Sequence, residues 1–368
     1  MGKKIRVGVI FGGRSGEHEV SLQSARSVMA ALDRNKYEVV EIGISRTGRW
    51  LLGGAMAALD SGEMADAQPV SLLPDPERHA LVRLDDANPG HVVELEGEGL
   101  DVLIPILHGT YGEDGTVQGL LEMAGMPYVG AGVVGSAVGM DKAIFKMVMA
   151  ANGIPVLPWQ LVTADKWRQM PERVIEILEN ELVYPLFTKP ANLGSSVGIN
   201  KCKDQAALVA GLNAAFEYDR RVVVEQGAVV RELEVAVLGN AEPEASIVGE
   251  VRPRREFYDY EAKYISDDSE LLIPAPLSET EAAEVRRLAL RAYRAIDCAG
   301  MGRVDLLMEK ATGRIYLNEI NTIPGFTSIS MYPKLWEATG LPYGQLLDRL
   351  IELALERHEE KRGLRTTL

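Results

Sequence analysis

The chain has 368 residues, 46% of them hydrophobic and 25% charged, with a formal net charge of −14. That length asks for two or three domains, and the composition is that of a soluble globular enzyme. The acidic balance argues against binding nucleic acid or an anionic membrane over a broad surface, while a small anion can still bind in a locally basic cleft.

In MGKKIRVGVIFGG, basic residues precede an apolar run. That run is too short for a secretory signal and meets Gly-Gly, so residues 5–11 read as a buried first strand. The glycine-rich turn GGRSGEHEVS leads into a helix near 19–32, and YEVVEIGIS gives a second strand at about 37–45. Residues 52–98 have weak periodicity and read as helix and hairpin elaboration. LDVLIPILHG is a buried strand at 100–107, followed by a loop and a helix in YGEDGTVQGLLEMAG. Strands alternating with helices predict a parallel, doubly wound sheet for residues 1–130.

Beyond Gly130, MDKAIFKMVMAANGIP is a helix ended by Gly153 and Pro155. VYPLFTKP and RVVVEQ are strands with a helix between them near 204–217, and ANLGSSVGIN is a loop of small residues. ELEVAVLG and EASIVGEV alternate as antiparallel strands. A long charged, aromatic loop is expected at 252–276, of the kind that closes over a ligand. A helix follows at 279–296, where Val285, Leu288, Ala289, Ala292 and Ile296 repeat at helical spacing. A hairpin over 303–321 turns at Thr312-Gly313, and a last helix covers 343–359. Cys202 and Cys298 are the only cysteines, too few for a disulfide framework and in keeping with a reducing cytoplasm. No segment approaches the roughly 18 consecutive apolar residues of a membrane span.

The hairpin carries the strongest chemical signal. Glu319 and Asn321 share one face of their strand, and Asp305 can join them from the facing strand. Two carboxylates and an amide oxygen suit Mg2+ beside phosphate oxygens. The Pro324-Gly325 turn offers backbone N–H groups next to that patch. Glu17 stands at a helix N-terminus, at the strand end where doubly wound sheets bind ligands, and could hold an ammonium. His108 and Glu113, in LHGTYGEDG, lie on the same sheet edge. Lys142 and Lys189 flank the Gly-Ser-Ser-x-Gly loop of Ser195 and Ser196, whose backbone can wrap phosphate; no Walker A pattern is present. The strand end Glu225-Gln226-Gly-Ala228 offers donors and acceptors to a flat heterocycle, and Glu232 could accept ribose hydroxyls. Phe257, Lys263 and Tyr264 sit in the long loop, where a lid would set Lys263 on phosphate and Tyr264 on substrate.

In this order, FGGRSGEHEVSLQSA, LHGTYGEDGTVQGLLE, MDK, TKPANLGSSVGI, EQG, RELEVAVLG, FYDYEAKY, GRVDLLME and LNEINTIPGFTSISMYPKLW resemble the ATP-grasp superfamily and, within it, the D-alanine–D-alanine ligase family. The resemblance implies an N-terminal Rossmann-like substrate domain (1–130), a central ATP-grasp lobe (131–226) and a C-terminal lobe (227–368) with the metal site and the lid 252–276. It implies ATP-dependent joining of two D-alanines through an acyl phosphate, for peptidoglycan, in a cytoplasmic homodimer. Glu17 would hold the first ammonium, linked to Ser195 and Tyr264 across the closed site, with His108 beside the first D-alanine. Lys142, Lys189 and Lys263 would meet phosphates, with Ser195, Ser196, Phe257 and Asn318 in the same nucleotide set. Adenine would meet Glu225 and the backbone of Gln226 and Ala228, and ribose would meet Glu232. Asp305, Glu319 and Asn321 would ligate Mg2+, or Mn2+ in its place, with Glu319 bridging two ions. Arg303 and the Gly325 N–H would form the oxyanion site, and Ser330 and Met331 would take the second carboxylate.

A D-alanine–D-lactate ligase on the same fold is the nearest rival, and the EAKY lid with Tyr264 favours the dipeptide. An ATP-binding regulator without catalysis fits poorly with the metal triad and Arg303. A nicotinamide dehydrogenase fails on glycine spacing.

Overall fold

Three sheets organise the chain, each covered by helices that bury its apolar face. The structure, a computed structural model, describes residues 3–365 apart from 63–66, 79, 85–91, 195, 254–268 and 328. The first sheet holds β1 (Ile5–Gly12), β2 (Tyr37–Ile44), β3 (Trp50–Leu52), β4 (Gln68–Leu72), β5 (Ala80–Leu84), β6 (Val92–Gly99) and β7 (Val102–Ile106) in the order β6-β5-β4-β3-β2-β1-β7. Only β2, β1 and β7 run parallel; β3 to β6 add on as antiparallel neighbours. The doubly wound expectation therefore applies to three strands, and the 52–98 elaboration is a strand meander with one short helix. Helix α1 (His18–Ala31) crosses from β1 to β2, α2 (Ala55–Ser61) lies within the elaboration, and α3 (Thr116–Met123) follows β7.

Helices α4 (Val133–Met140) and α5 (Lys142–Ala151) lead to a four-stranded antiparallel sheet. Asp141 caps α5 by accepting from the backbone of Ala143 (3.1 Å) and Ile144 (3.0 Å). This sheet runs β10-β9-β11-β8, from β8 (Trp159–Thr163), β9 (Leu186–Pro190), β10 (Asn200–Cys202) and β11 (Arg221–Gln226). Helices α6 (Ala164–Gln169), α7 (Pro171–Glu181) and α8 (Gln205–Ala215) cover it.

The third sheet runs β14-β13-β12-β15-β16, all antiparallel, from β12 (Val230–Leu238), β13 (Glu244–Pro253), β14 (Ser269–Leu272), β15 (Met301–Glu309) and β16 (Ile315–Asn321). The expected loop 252–276 is corrected at both ends: β13 continues to Pro253, and Ser269–Leu272 pairs back onto it. Leu233, Val235, Val237, Val304, Leu306 and Ile320 face α9 (Glu279–Ala295) and form one core. Alternation sends Glu232, Glu234, Arg303 and Asp305 to the opposite face.

Two last helices, α10 (Met331–Thr339) and α11 (Tyr343–Arg362), bind the ends of the molecule together. Their apolar residues share a core with β1, β7 and α1. Asp348 takes Lys36 Nζ at 2.6 Å and the Tyr37 hydroxyl at 2.7 Å, and Arg357 stacks 4.4 Å over the Tyr128 ring. Among the described residues no helix is long and apolar enough to cross a membrane.

Candidate active site

A cavity of about 470 Å³ opens where the three sheets meet. Its floor is the polar face of β12, β15 and β16. In register, Glu234 faces Asp305, Asp305 faces Glu319, and Arg303 faces Asn321. A bulge beside Asp305 shifts β16 by one residue, so Asn318 and Glu319 both reach the cavity instead of alternating. Like charges placed directly opposite on neighbouring strands repel. Arg303 offsets part of this: its fork donates to both oxygens of Asp305 at 2.7 Å, and its Nε lies 3.1 Å from Glu234. Three carboxylates against one guanidinium still leave an excess of two negative charges.

That excess and the donor chemistry fit a divalent cation. Asn321 spends its amide N–H on Asp305 (3.1 Å), which leaves its carbonyl oxygen as the atom with ligand character. Hard oxygen donors from Asp305, Glu319 and Asn321 are what Mg2+ prefers. Among the described residues no three His, Cys, Asp or Glu side chains form a cluster by themselves, and Arg303 pairs with both Glu234 and Asp305.

The wall opposite comes from the first sheet. Glu17 precedes α1, is 7% exposed and lines the cavity. A Cβ at Gly109 would lie 2.5 Å from Glu17 Oε2, and one at Gly194 would lie 3.0 Å away. Bare glycine backbone from two loops therefore closes on this carboxylate, including the small-residue loop next to Ser195. His108 is buried, with Nδ1 donating to the Ile323 carbonyl at 3.0 Å and Nε2 3.2 Å from the Ser24 hydroxyl. Burial holds its imidazole below the ordinary value, against the pull of Glu17. Glu113 accepts from Gly109 N (2.6 Å) and Ile323 N (3.3 Å). Burial, reinforced by the charge of Glu17, pushes its carboxyl up to about 8. His108 and Glu113 thus grip both polar ends of Ile323, two residues before Gly325.

Gly325 lines the cavity, and a Cβ there would come within 2.9 Å of Ser330 Oγ. Ser330 stands at the N-cap of α10, accepts from Thr327 N at 3.0 Å, and is followed by Met331 at the cavity wall. Lys334, one turn into α10, also lines the cavity. It is a cation the sequence reading passed over, although Ser330 and Lys334 stand at the i, i+4 spacing of one helix face.

The third side belongs to α5 and the small-residue loop. Lys142 donates to the Leu193 carbonyl at 2.5 Å, and Ser196 lines the cavity with φ of +59°. Glu232 and Asn318 line it as well. Lys189, Glu225, Gln226 and Ala228 do not. Glu225, expected to meet a heterocycle, is held by two lysines. Its carboxylate is 2% exposed, with one oxygen on Lys189 Nζ at 2.5 Å and the other in contact with Lys146. Burial opposes its ionisation, but the two ammonium groups outweigh burial and hold it at about 2. Gln226 is likewise committed: its side-chain oxygen accepts from Val183 N and its own N–H donates to Pro158 O, both at 2.9 Å. Lys146 was missed from sequence, although it follows Lys142 by four residues. Ser195, Phe257, Lys263 and Tyr264 lie outside the described residues.

The chain matches the family models described as D-ala D-ala ligase N-terminus, over residues 6–131, and D-ala D-ala ligase C-terminus, over residues 148–352. It is 53% identical to a D-alanine–D-alanine ligase of Heliobacterium modesticaldum, over 97% of this chain and 96% of that one. It is 48% identical to another of Natranaerobius thermophilus, over 98% and 97%. Among solved structures, it resembles the D-alanine–D-alanine ligase of Coxiella burnetii with a TM-score of 0.83 at 38% identity, over 98% and 97% of the two chains. A D-Ala:D-Ser ligase of Enterococcus faecalis gives 0.84 at 34% identity, over 96% and 100%.

Proposed function

The chain belongs to the D-alanine–D-alanine ligase family, and from that premise we propose how its residues divide the work. The enzyme joins two D-alanines to D-alanyl-D-alanine at the expense of ATP, through an acyl phosphate, for peptidoglycan synthesis, and uses a divalent metal. In the proposed scheme Glu17 receives the ammonium of the first D-alanine, with His108 beside it. Lys142, Lys189, Lys263 and the loop of Ser195 and Ser196 hold the phosphates. Glu225 and the backbone of Gln226 and Ala228 meet adenine, Phe257 lies by the base, and Glu232 binds ribose. Asn318 completes the nucleotide set.

Asp305, Glu319 and Asn321 would hold the divalent metal, Mg2+ or Mn2+, as one ion or two. The metal supplies charge neutralisation that lets a phosphoryl group approach a carboxylate. Arg303 and the Gly325 N–H stabilise the oxyanion of the tetrahedral intermediate. Ser330, Met331 and Lys334 take the carboxylate of the second D-alanine at the start of α10. Tyr264 closes the lid toward Ser195 and Glu17.

The carrying observation is the row Glu234, Asp305 and Glu319 facing the Glu17 wall across one cavity. Domains at 1–130, 131–226 and 227–368 belong to this reading, and the three sheets support them. So does a homodimer, supported by the exposed Met123, Val134, Ile144 and Met147 on the contacting helices α3, α4 and α5. Sedimentation at micromolar concentration tests it. The buried free thiols of Cys202 and Cys298 support a cytoplasmic location. The deciding assay is ADP release with D-alanine, L-alanine and D-lactate as separate acceptors. Release that depends on D-alanine, with dipeptide as product, is expected; depsipeptide as the main product at neutral pH overturns the acceptor assignment.

A further inference from the structure

Lys146 is a buried lysine outside the set of side chains that meet substrate; burial pulls its ammonium below the ordinary lysine range, against the charge of Glu225. It lies on α5 four residues after Lys142, so the two share one helix face. Lys142 reaches the small-residue loop, whereas Lys146 turns inward and is 3% exposed. Its ammonium pairs with one oxygen of Glu225, and the other oxygen of Glu225 holds Lys189 Nζ at 2.5 Å. Lys189 is the more open of the two lysines, with 15% of its side chain exposed. The carboxylate of Glu319, on the metal hairpin, also acts on Lys146.

A buried ion pair is expensive to desolvate, and an apolar pair of similar size usually stabilises a fold as well or better. A lysine stem left to itself samples many rotamers. The chain Lys146, Glu225, Lys189 removes that freedom from Lys189, the more open of the two. We propose that Lys146 is a positioning residue for nucleotide binding: through Glu225 it fixes the Lys189 ammonium at the phosphate wall and does not itself touch substrate. This rests on the ligase reading, which places phosphate beside Lys189.

The test is calorimetric titration of ADP with Mg2+ into the full-length enzyme, for Lys146→Met, Glu225→Gln and the double variant. Each single change is expected to weaken ADP binding by about tenfold or more, and the double change no further, because both act through one relay. The Michaelis constant for D-alanine should stay as in the wild type, and Lys146→Arg should restore most of the affinity. If Lys146→Met does not fold, the double variant carries the test, since it removes the pair together and leaves no lone buried ammonium at that position. Wild-type ADP affinity in a folded variant, or losses that add in the double variant, overturns the proposal. Failure of the ligase reading looks different: the wild type itself would release no ADP with D-alanine.

Discussion

Glu113 lines the cavity and is partly buried, Glu225 lies buried behind it, and their environments drive them in opposite directions. Glu225, on the nucleotide side, has two ammonium groups within contact and stays ionised down to about 2. Glu113, on the amino-acid side, has the carboxylate of Glu17 for a neighbour and is pushed up to about 8. Burial raises both, so burial does not decide the outcome; the sign of the nearest charges does. The difference matches the cargo proposed for each side. Two lysines around one carboxylate leave a positive excess for phosphate, while two carboxyls side by side leave a place for an ammonium. Between them lies the acidic row of β12, β15 and β16, where a metal would let phosphate and carboxylate meet.

The largest effect should come from that meeting place. Asp305→Ala removes a hard donor and the partner of Arg303 together, and turnover should fall by about three orders of magnitude in a protein that still folds. Near-normal ADP release at ordinary Mg2+ would remove the metal assignment. Next is the nucleotide wall itself. Glu225→Ala strands Lys146 in a buried position and should lower stability at pH 7 by about 3 kcal/mol. Urea denaturation measures it, and a loss below half a kilocalorie would mean the pair is not held as described. The matching change at the other carboxyl, Glu113→Gln, should cost only about 1 kcal/mol at pH 7: the native group there already keeps its proton, and the loss is one of its two backbone N–H partners, which an amide NH2 cannot accept.

The same contrast should appear as two opposite pH slopes. Glu225 is ionised in the folded state from about 2 and in the unfolded chain only from about 4.5, so its contribution is present above 4.5 and lost as pH falls through 2. Glu113 keeps its proton in the folded state up to about 8 and loses it in the unfolded chain near 4.5. Over that window the unfolded chain binds fewer protons, so stability falls as pH rises, by up to about 1.4 kcal/mol per pH unit. Glu113→Gln cannot titrate and should flatten the curve of melting temperature against pH between 5 and 8. An unchanged slope would show that Glu113 is ionised in the folded protein and that Glu17 does not govern it.

What the sequence disclosed follows from the range over which each signal acts. The hairpin of 303–321 was legible because alternation and the Thr312-Gly313 turn are local, and the register puts Asp305 opposite Glu319. The bulge that brings Asn318 to the cavity was not, since a one-residue shift depends on the partner strand. The ion pairing of Glu225 was hidden for the same reason. Its neighbours Lys146 and Lys189 come from α5 and β9, and only the four-stranded sheet brings them together. The meander β3 to β6 was legible only as helix and hairpin elaboration, because periodicity is weak over 52–98 and Ala, Gly, Asp and Pro interrupt it. Strand β14 was hidden because Ser269–Leu272 pairs with β13 at the end of a charged loop.

The smallest predicted effect tests whether the amino-acid wall is acidic throughout. The proposed scheme sets the ammonium of the first D-alanine at Glu17, and the carboxylate of the second needs a cation of its own. Lys334 is placed for that: it follows Ser330 by four residues, and helical side chains lean toward the helix N-terminus, which carries Lys334 over the first turn of α10. Partial positive charge at that end favours the same anion. Lys334→Met keeps most of the stem and removes the charge. A partly solvated contact of this kind is worth about 0.5–1.5 kcal/mol, so saturation by the second D-alanine should need several-fold and at most about tenfold more substrate. Maximal turnover and ADP affinity should stay as in the wild type, because neither phosphate nor metal is involved. Added salt should narrow the gap between variant and wild type, since screening acts on the charge the variant lacks. An identical D-alanine saturation curve for Lys334→Met would assign the carboxylate to Ser330 and the helix terminus alone.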